Sequence, residues 1–166
     1  YADEHEPREV PPLPEPVRSA IATWLKEAAE EGDVPWQIWS QQVERTRLAA
    51  ANLVGAEAEE IALVPNTTSG ISLVAEGFPW RDGDNVVTLA NEFPSNLYPW
   101  LNLASRRVET RKVPVEDGRV DLSRVDQAID SRTRLVSLSW VGFASGWRID
   151  VAVAAGCVPN AVTDEM

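Results

Sequence analysis

The sequence predicts an α/β fold, a mostly parallel sheet flanked by helices, and three observations carry that reading. Past residue 57, short apolar runs alternate with amphipathic stretches, the order that builds a parallel sheet with crossover helices. The runs Val86-Val87-Thr88-Leu89 and Leu135 to Val141 read as strands buried on both faces. A chain of 166 residues with 44% hydrophobic content suits one domain of ordinary size with a real core.

Each element follows in order. Residues 1–15 are acidic and proline-rich (Pro7, Pro11, Pro12, Pro14) and read as an arm lying on a surface. Pro16 suits the first turn of a helix that Gly32 closes. Within it Val17, Ala20, Ile21, Trp24, Leu25 and Ala28 keep the spacing of one buried face. A second helix spans Trp36 to Val54 and stops at Gly55, so residues 16–56 form an N-terminal helical part. The α/β part, 57–150, reads as strand 61–64, helix 69–77, strand 85–89, helix 96–105 and strand 108–115. A turn at Glu116-Asp117-Gly118, a helix over 121–130 and a strand over 135–141 complete it. Strand 108–115 alternates and reads as a sheet edge. Residues 151–166 form an irregular tail, interrupted by Gly156, Pro159 and Asn160. A sheet ending beside so central-looking a strand reads as a truncated domain, or as one whose last segment has been altered.

Composition excludes several partners. A formal net charge of −11 repels nucleic acid and anionic membranes alike. No apolar run reaches the length of a membrane span. The one cysteine, Cys157, forms no internal disulfide, which suits a cytoplasmic location. His5, the only histidine, has no partner cluster and gives no metal site.

The most informative stretch runs from Val64 to Ala75, Val-Pro-Asn-Thr-Thr-Ser-Gly-Ile-Ser-Leu-Val-Ala. An apolar run enters a turn of small hydroxyl residues, and an apolar helix follows. A helix start aims free N–H groups and the positive end of the helix dipole at one point. Hydroxyls of Thr67, Thr68 and Ser69 add donors there, so a phosphate fits. An ordinary N-cap uses the same residue types, and local sequence alone favours the cap.

Four collinear segments resemble the class V aminotransferase family, the fold-type I enzymes that use pyridoxal 5'-phosphate and include cysteine desulfurases and isopenicillin N epimerase-like proteins. They are Glu59 to Gly70, Gly83 to Val87, Glu92-Phe93-Pro94-Ser95-Asn96-Leu97-Tyr98-Pro99-Trp100, and Arg134 to Val141 continuing through Gly146-Trp147-Arg148-Ile149-Asp150. Leu13-Pro14-Glu15-Pro16-Val17 resembles the start of that family's first long helix, so the likeness covers residues 13 to 150. The resemblance implies part of the major domain of a pyridoxal-phosphate transferase, an N-terminal portion only. It makes Thr67 and Thr68 ligands of the cofactor phosphate and sets Phe93 where an aromatic ring, often His, stacks on the pyridine. It also implies a homo-oligomer or a homologous partner subunit, and an amino-acid-like substrate for the parent enzyme.

Departures from the family pattern weigh on activity. Phe143 stands where many members place Asn or His against the cofactor's phenolic oxygen, and Asp164 only mimics the acid that pairs with the pyridine nitrogen. The family's lysine, which forms the Schiff base, has no counterpart: Lys26 and Lys112 are the only lysines, on the first helix and on the edge-like strand. Cys157 does not match the family's late nucleophilic cysteine. No residue of this chain is therefore expected to be catalytic, and covalent cofactor attachment is not expected. Three functions stay open: a fragment of a class V enzyme, a partner-binding module derived from that fold, and an unrelated α/β domain binding phosphate at Thr67 to Gly70. The uncovered apolar faces, with Trp140 and Val141 at the last strand and Val17, Ile21 and Trp24 on the first helix, predict a chain that self-associates or is marginally stable.

Overall fold

The computed structural model describes residues 12–150. The arm with His5 lies outside the described residues up to Pro11, and the tail with Cys157 and Asp164 lies outside them entirely. The chain divides between Ala62 and Leu63 into two compact units.

The first unit is helical. Helix α1 covers Glu15–Glu31, with Pro16 in its first turn, where a missing N–H costs nothing. Gly32 follows at φ 64°, a conformation that favours glycine. Helix α2 covers Trp36–Val54 and ends on Gly55 in the left-handed conformation, its N–H bonded to the Ala51 carbonyl. The two helices touch through Trp24 and Trp39, whose ring centroids are 5.9 Å apart. The Trp39 indole N–H donates to Glu27 at 2.9 Å. A 3₁₀ turn at Ala58–Glu60 carries a reciprocal cap between Glu57 and Glu60. The apolar face of the first helix stands uncovered, as expected of it in this chain: α1 buries no residue, and Val17, Ile21, Trp24 and Leu25 are 43% to 55% exposed. Periodicity gave the helix correctly, and within this unit its stripe meets α2 through Trp24 and Trp39.

The second unit is an α/β layer structure. Helix α3 covers Thr67–Gly77, strand β1 Asn85–Leu89, helix α4 Tyr98–Leu101, strand β2 Glu109–Val113, helix α5 Leu122–Ala128 and strand β3 Thr133–Ser137. The strands form one parallel sheet in the order β2-β1-β3. β1, at the centre, is buried at every position, including its polar Asn85 and Thr88. Alternate residues of β1 feed two cores. Val86 joins Ala75 of α3, Trp100 of α4, Leu103 and Val108 on one face, whereas Val87 and Leu89 join Val113, Val125 of α5 and Ile149 on the other. β2 is an edge, as its alternation indicates.

Four expectations shift. Residues 61–64 form no strand: among the described residues no ladder partner pairs with them. Ile61 is extended, and the Val64 side chain instead lies over Gly70, where an added Cβ would stand 3.3 Å from Val64 Cγ2. Helix α3 starts two residues early, at Thr67, because Asn66 is its cap and accepts from the Ser69 N–H at 2.9 Å. The helix expected over 96–105 breaks into a 3₁₀ turn at Pro94–Asn96, the single turn α4 and a 3₁₀ turn at Asn102–Arg106. Pro94 and Pro99 have no N–H to continue a ladder. β3 begins two residues early and ends at Ser137, and it is only half-buried rather than covered on both faces. Trp140 and Val141 lie beyond its ladder and are 62% and 49% exposed.

Candidate functional site

Parallel strands present ligand sites at their carboxyl ends, in the crevice where successive crossovers leave in different directions. Here that place lies between β1 and β3: the chain leaves β1 toward β2 on one side, then returns to β3 on the other. The segments that follow β1 and β3 both converge on it.

The segment after β1 carries Glu92, Phe93, Ser95 and Asn96. Phe93 is half exposed, and Phe143, from the loop after β3, meets it edge to face at 5.2 Å between centroids and 82° between planes. Ser95 receives a hydrogen bond from the Thr68 hydroxyl at 3.0 Å, which brings the first turn of α3 to the same crevice. Thr67 and Thr68 are the first two residues of α3. Asn66 caps the Ser69 N–H, while the N–H groups of Thr67 and Thr68 have no acceptor among the described residues. The local corner thus gathers two free backbone donors, the Thr67, Thr68 and Ser95 hydroxyls and the positive end of an eleven-residue helix. Among the described residues no carboxylate bonds to these donors.

Of the residues expected at the site, Thr68 and Phe93 flank Ser95 on converging segments, and Thr67 adjoins Thr68. Phe143 joins Phe93 as a ring partner. Lys26 is exposed on α1, and Lys112 is exposed on the edge strand β2. Two polar residues missed as site residues are Glu92 and Asn96. Both are buried, and both accept hydrogen bonds from serines of the β3 end. The Ser139 N–H donates to Glu92 at 2.7 Å and its hydroxyl donates to the other carboxylate oxygen. The Ser137 hydroxyl and the Trp100 indole N–H both donate to the Asn96 amide oxygen. A polar pair within an apolar strand run, Ser137 and Ser139, was the available signal.

At the opposite, amino end of the sheet, Asp130 has a pKa lowered from 3.8 to about 2. The Arg132 N–H contributes most, followed by the Asn85 amide and the Arg111 guanidinium. That cluster ties the sheet's start together and lies away from the crevice residues in the chain's topology. Among the described residues no group of three or more His, Cys, Asp or Glu side chains could hold a metal ion, and no helix is long and apolar enough to cross a membrane.

Comparison with known proteins bears on this geometry. The family model described as Aminotransferase class-V matches residues 23–160. A protein named "Probable cysteine desulfurase" from Methanothermobacter thermautotrophicus is 34% identical over 145 residues, covering 84% of this chain and 36% of its own length. A cysteine desulfurase from Cronobacter sakazakii is 36% identical over 121 residues, covering 68% of this chain and 29% of its own. The chain thus spans about a third of the length of these relatives. Among solved structures, the cystine C–S lyase C-DES in complex with cysteine persulfide shares the fold at a TM-score of 0.80 and 23% identity, over 87% of this chain and 40% of that one. The apo cysteine desulfurase of Thermococcus onnurineus NA1 aligns at a TM-score of 0.67 and 30% identity, over 73% of this chain and 31% of that one. With the family model matched over most of its length, the chain belongs to the class V aminotransferase family.

Proposed function

We propose that this chain supplies the phosphate-holding part of a pyridoxal 5'-phosphate pocket in an enzyme of cysteine desulfurase type, acting on an amino-acid-like small molecule. One observation carries the reading: the start of α3, with two unpartnered N–H groups, meets the Thr68–Ser95 hydroxyl pair beside Phe93 at the carboxyl end of the sheet. A dianionic phosphate needs donors without competing carboxylates, and this corner offers them, so the residues present fit the group.

Thr67 and Thr68 would hold the phosphate through backbone N–H and hydroxyl groups. Phe93 would stack on the ring, with Phe143 edge-on behind it limiting how far the Phe93 ring can turn. A phenyl ring packs and excludes water but moves no proton, so Phe93 orients rather than exchanges. When bound, pyridoxal phosphate supplies an electron-withdrawing ring. The amine for its covalent attachment is expected from neither Lys26 nor Lys112, so this chain binds the cofactor without a covalent link. A second copy or a homologous subunit is the proposed partner, and the exposed apolar faces of α1 and of Trp140 and Val141 support a partner-binding role as the second reading.

Calorimetric titration of the chain with pyridoxamine 5'-phosphate, which has no aldehyde to react with surface amines, tests the pocket. Saturable binding competed by inorganic phosphate is expected. Replacing Thr67 and Thr68 together by Val should weaken it by about tenfold or more, since two hydroxyl donors to a charged group are lost. Binding unaffected by that replacement would place the phosphate elsewhere.

A further inference from the structure

We infer that Glu92 and Asn96 are positioning residues, two buried acceptors that grip Ser139 and Ser137 and so fix the intervening Phe93 and Ser95 in the crevice. The inference deepens the proposed pocket and rests on it only for the identity of the ligand.

Glu92 and Asn96 are 7% and 9% exposed, unusual burial for a carboxylate and an amide. Burial of such groups is costly unless hydrogen bonds replace water, and here each finds donors on the far side of the crevice. Ser139 gives Glu92 both its N–H and its hydroxyl. Ser137 gives Asn96 its hydroxyl, and the Trp100 indole on α4 gives a second bond at 3.2 Å. Ser137 and Ser139 are two residues apart at the end of an extended strand, so they share one face. Leu138 between them packs into the opposite core, with Val87 and Val125. The strand end is therefore apolar on one side and a pair of donors on the other.

Residues 93 and 95 lie between the two acceptors, so both ends of their segment are pinned to β3. A third bond, from the Thr88 hydroxyl to the Ser137 carbonyl at 2.8 Å, ties the same strand end back to β1. Apolar packing alone permits sliding, whereas hydrogen bonds demand direction as well as distance. What these bonds fix is the edge-to-face angle of Phe93 on Phe143 and the reach of Ser95 to Thr68.

The test uses the chain labelled with 4-fluorophenylalanine. Its three phenylalanines are Phe78, Phe93 and Phe143, and Phe78, packed on Trp80 at 4.5 Å, serves as the internal standard. Fluorine NMR then reads the ring pair without any ligand, and titration with pyridoxamine 5'-phosphate reads the pocket. Glu92→Ala should shift the Phe93 and Phe143 signals, leave Phe78 in place, and weaken binding by about tenfold, the scale of one charge-assisted hydrogen bond. Glu92→Gln should restore both readouts, because its amide oxygen accepts from the Ser139 N–H and its NH₂ donates to the hydroxyl. Where Glu92→Ala fails to fold, the Ser137→Ala/Ser139→Ala double variant, which deletes only two oxygens, should shift the same two signals. Unmoved ring signals in a folded Glu92→Ala or in the double serine variant overturn the inference, as does a glutamine variant that behaves like alanine. A parent chain that binds no pyridoxamine 5'-phosphate overturns the pocket instead, and the fluorine signals still decide the positioning role.

Discussion

Helix α1 and strand β1 use apolar residues in opposite ways. The helix runs for seventeen residues with an apolar stripe and buries none of them. The strand has five residues and buries all of them. A helix closes its backbone hydrogen bonds within its own segment, so its geometry needs no neighbouring strand, although covering its stripe would add to its stability. A strand exists only where neighbours complete its ladder, and β1 gains burial by the same act that forms it. Forming a helix and stabilising a fold are thus separate events in this chain, whereas for its central strand they are one.

The largest expected effect sharpens that comparison directly. Leu89→Ala, in the core beside Val113 and Val125, should cost about 3 kcal/mol in urea unfolding. Ile21→Ala on α1 should cost less than about 1 kcal/mol, being a half-exposed surface change. Equal costs would break the comparison and show that the α1 stripe is covered in solution, with the oligomeric state by light scattering as the next measurement. Next in size, Thr88→Val keeps the shape of β1 but removes the donor to the Ser137 carbonyl, which should cost about 1 to 2 kcal/mol in the same unfolding assay.

A smaller effect depends on pH. Asp130 titrates near 2 in the folded chain against 3.8 ordinarily, held down by the Arg132 N–H, the Asn85 amide and Arg111. A depressed carboxylate stabilises the fold above its unfolded value and loses that contribution as pH falls through its folded value. The parent should therefore lose stability between about pH 4 and about pH 2, and Asp130→Asn should flatten that part of the curve in unfolding midpoints measured across the window. The smallest effect belongs to α1. Glu15 also has a lowered pKa, from Arg18 first and Ser19 second, but the pair is exposed and screened. Glu15→Gln should leave the thermal midpoint at neutral pH unchanged, and a clear drop would show that the helix start is held against something.

The elements that were legible in the sequence are those whose signal is local. α2 follows from its Trp36 start and Gly55 stop, and β1 follows from four adjacent apolar or β-branched residues. The start of β3 escaped notice because Thr133 and Arg134 are polar, while ladder bonds use the backbone and ignore side chains. Residues 61–64 failed as a strand for the converse reason: an apolar run names no pairing neighbour, and here Leu63 and Val64 are not even covered, at 46% and 39% exposed. Within the site, Thr67, Thr68 and Phe93 were readable as residue types. Their supports were not, because Glu92 and Ser139 lie 47 residues apart and meet only after the chain has crossed the sheet.

The pairing of β1 with β3 contains one irregularity. Asn85 faces Thr133, yet the next residue, Val86, faces Leu135, so Arg134 has no counterpart in β1. Its guanidinium turns to buried Asp84 at 3.0 Å. Beyond this spare residue the ladder proceeds in step, Val87 with Val136 and Thr88 with Ser137. The strand therefore keeps its slack at the amino end, and a one-residue deletion there would be absorbed before it reached Ser137. The same deletion at Val136 would exchange inside for outside and pull both serines from their partners. Tolerance to changes in length is thus graded along a strand only five residues long.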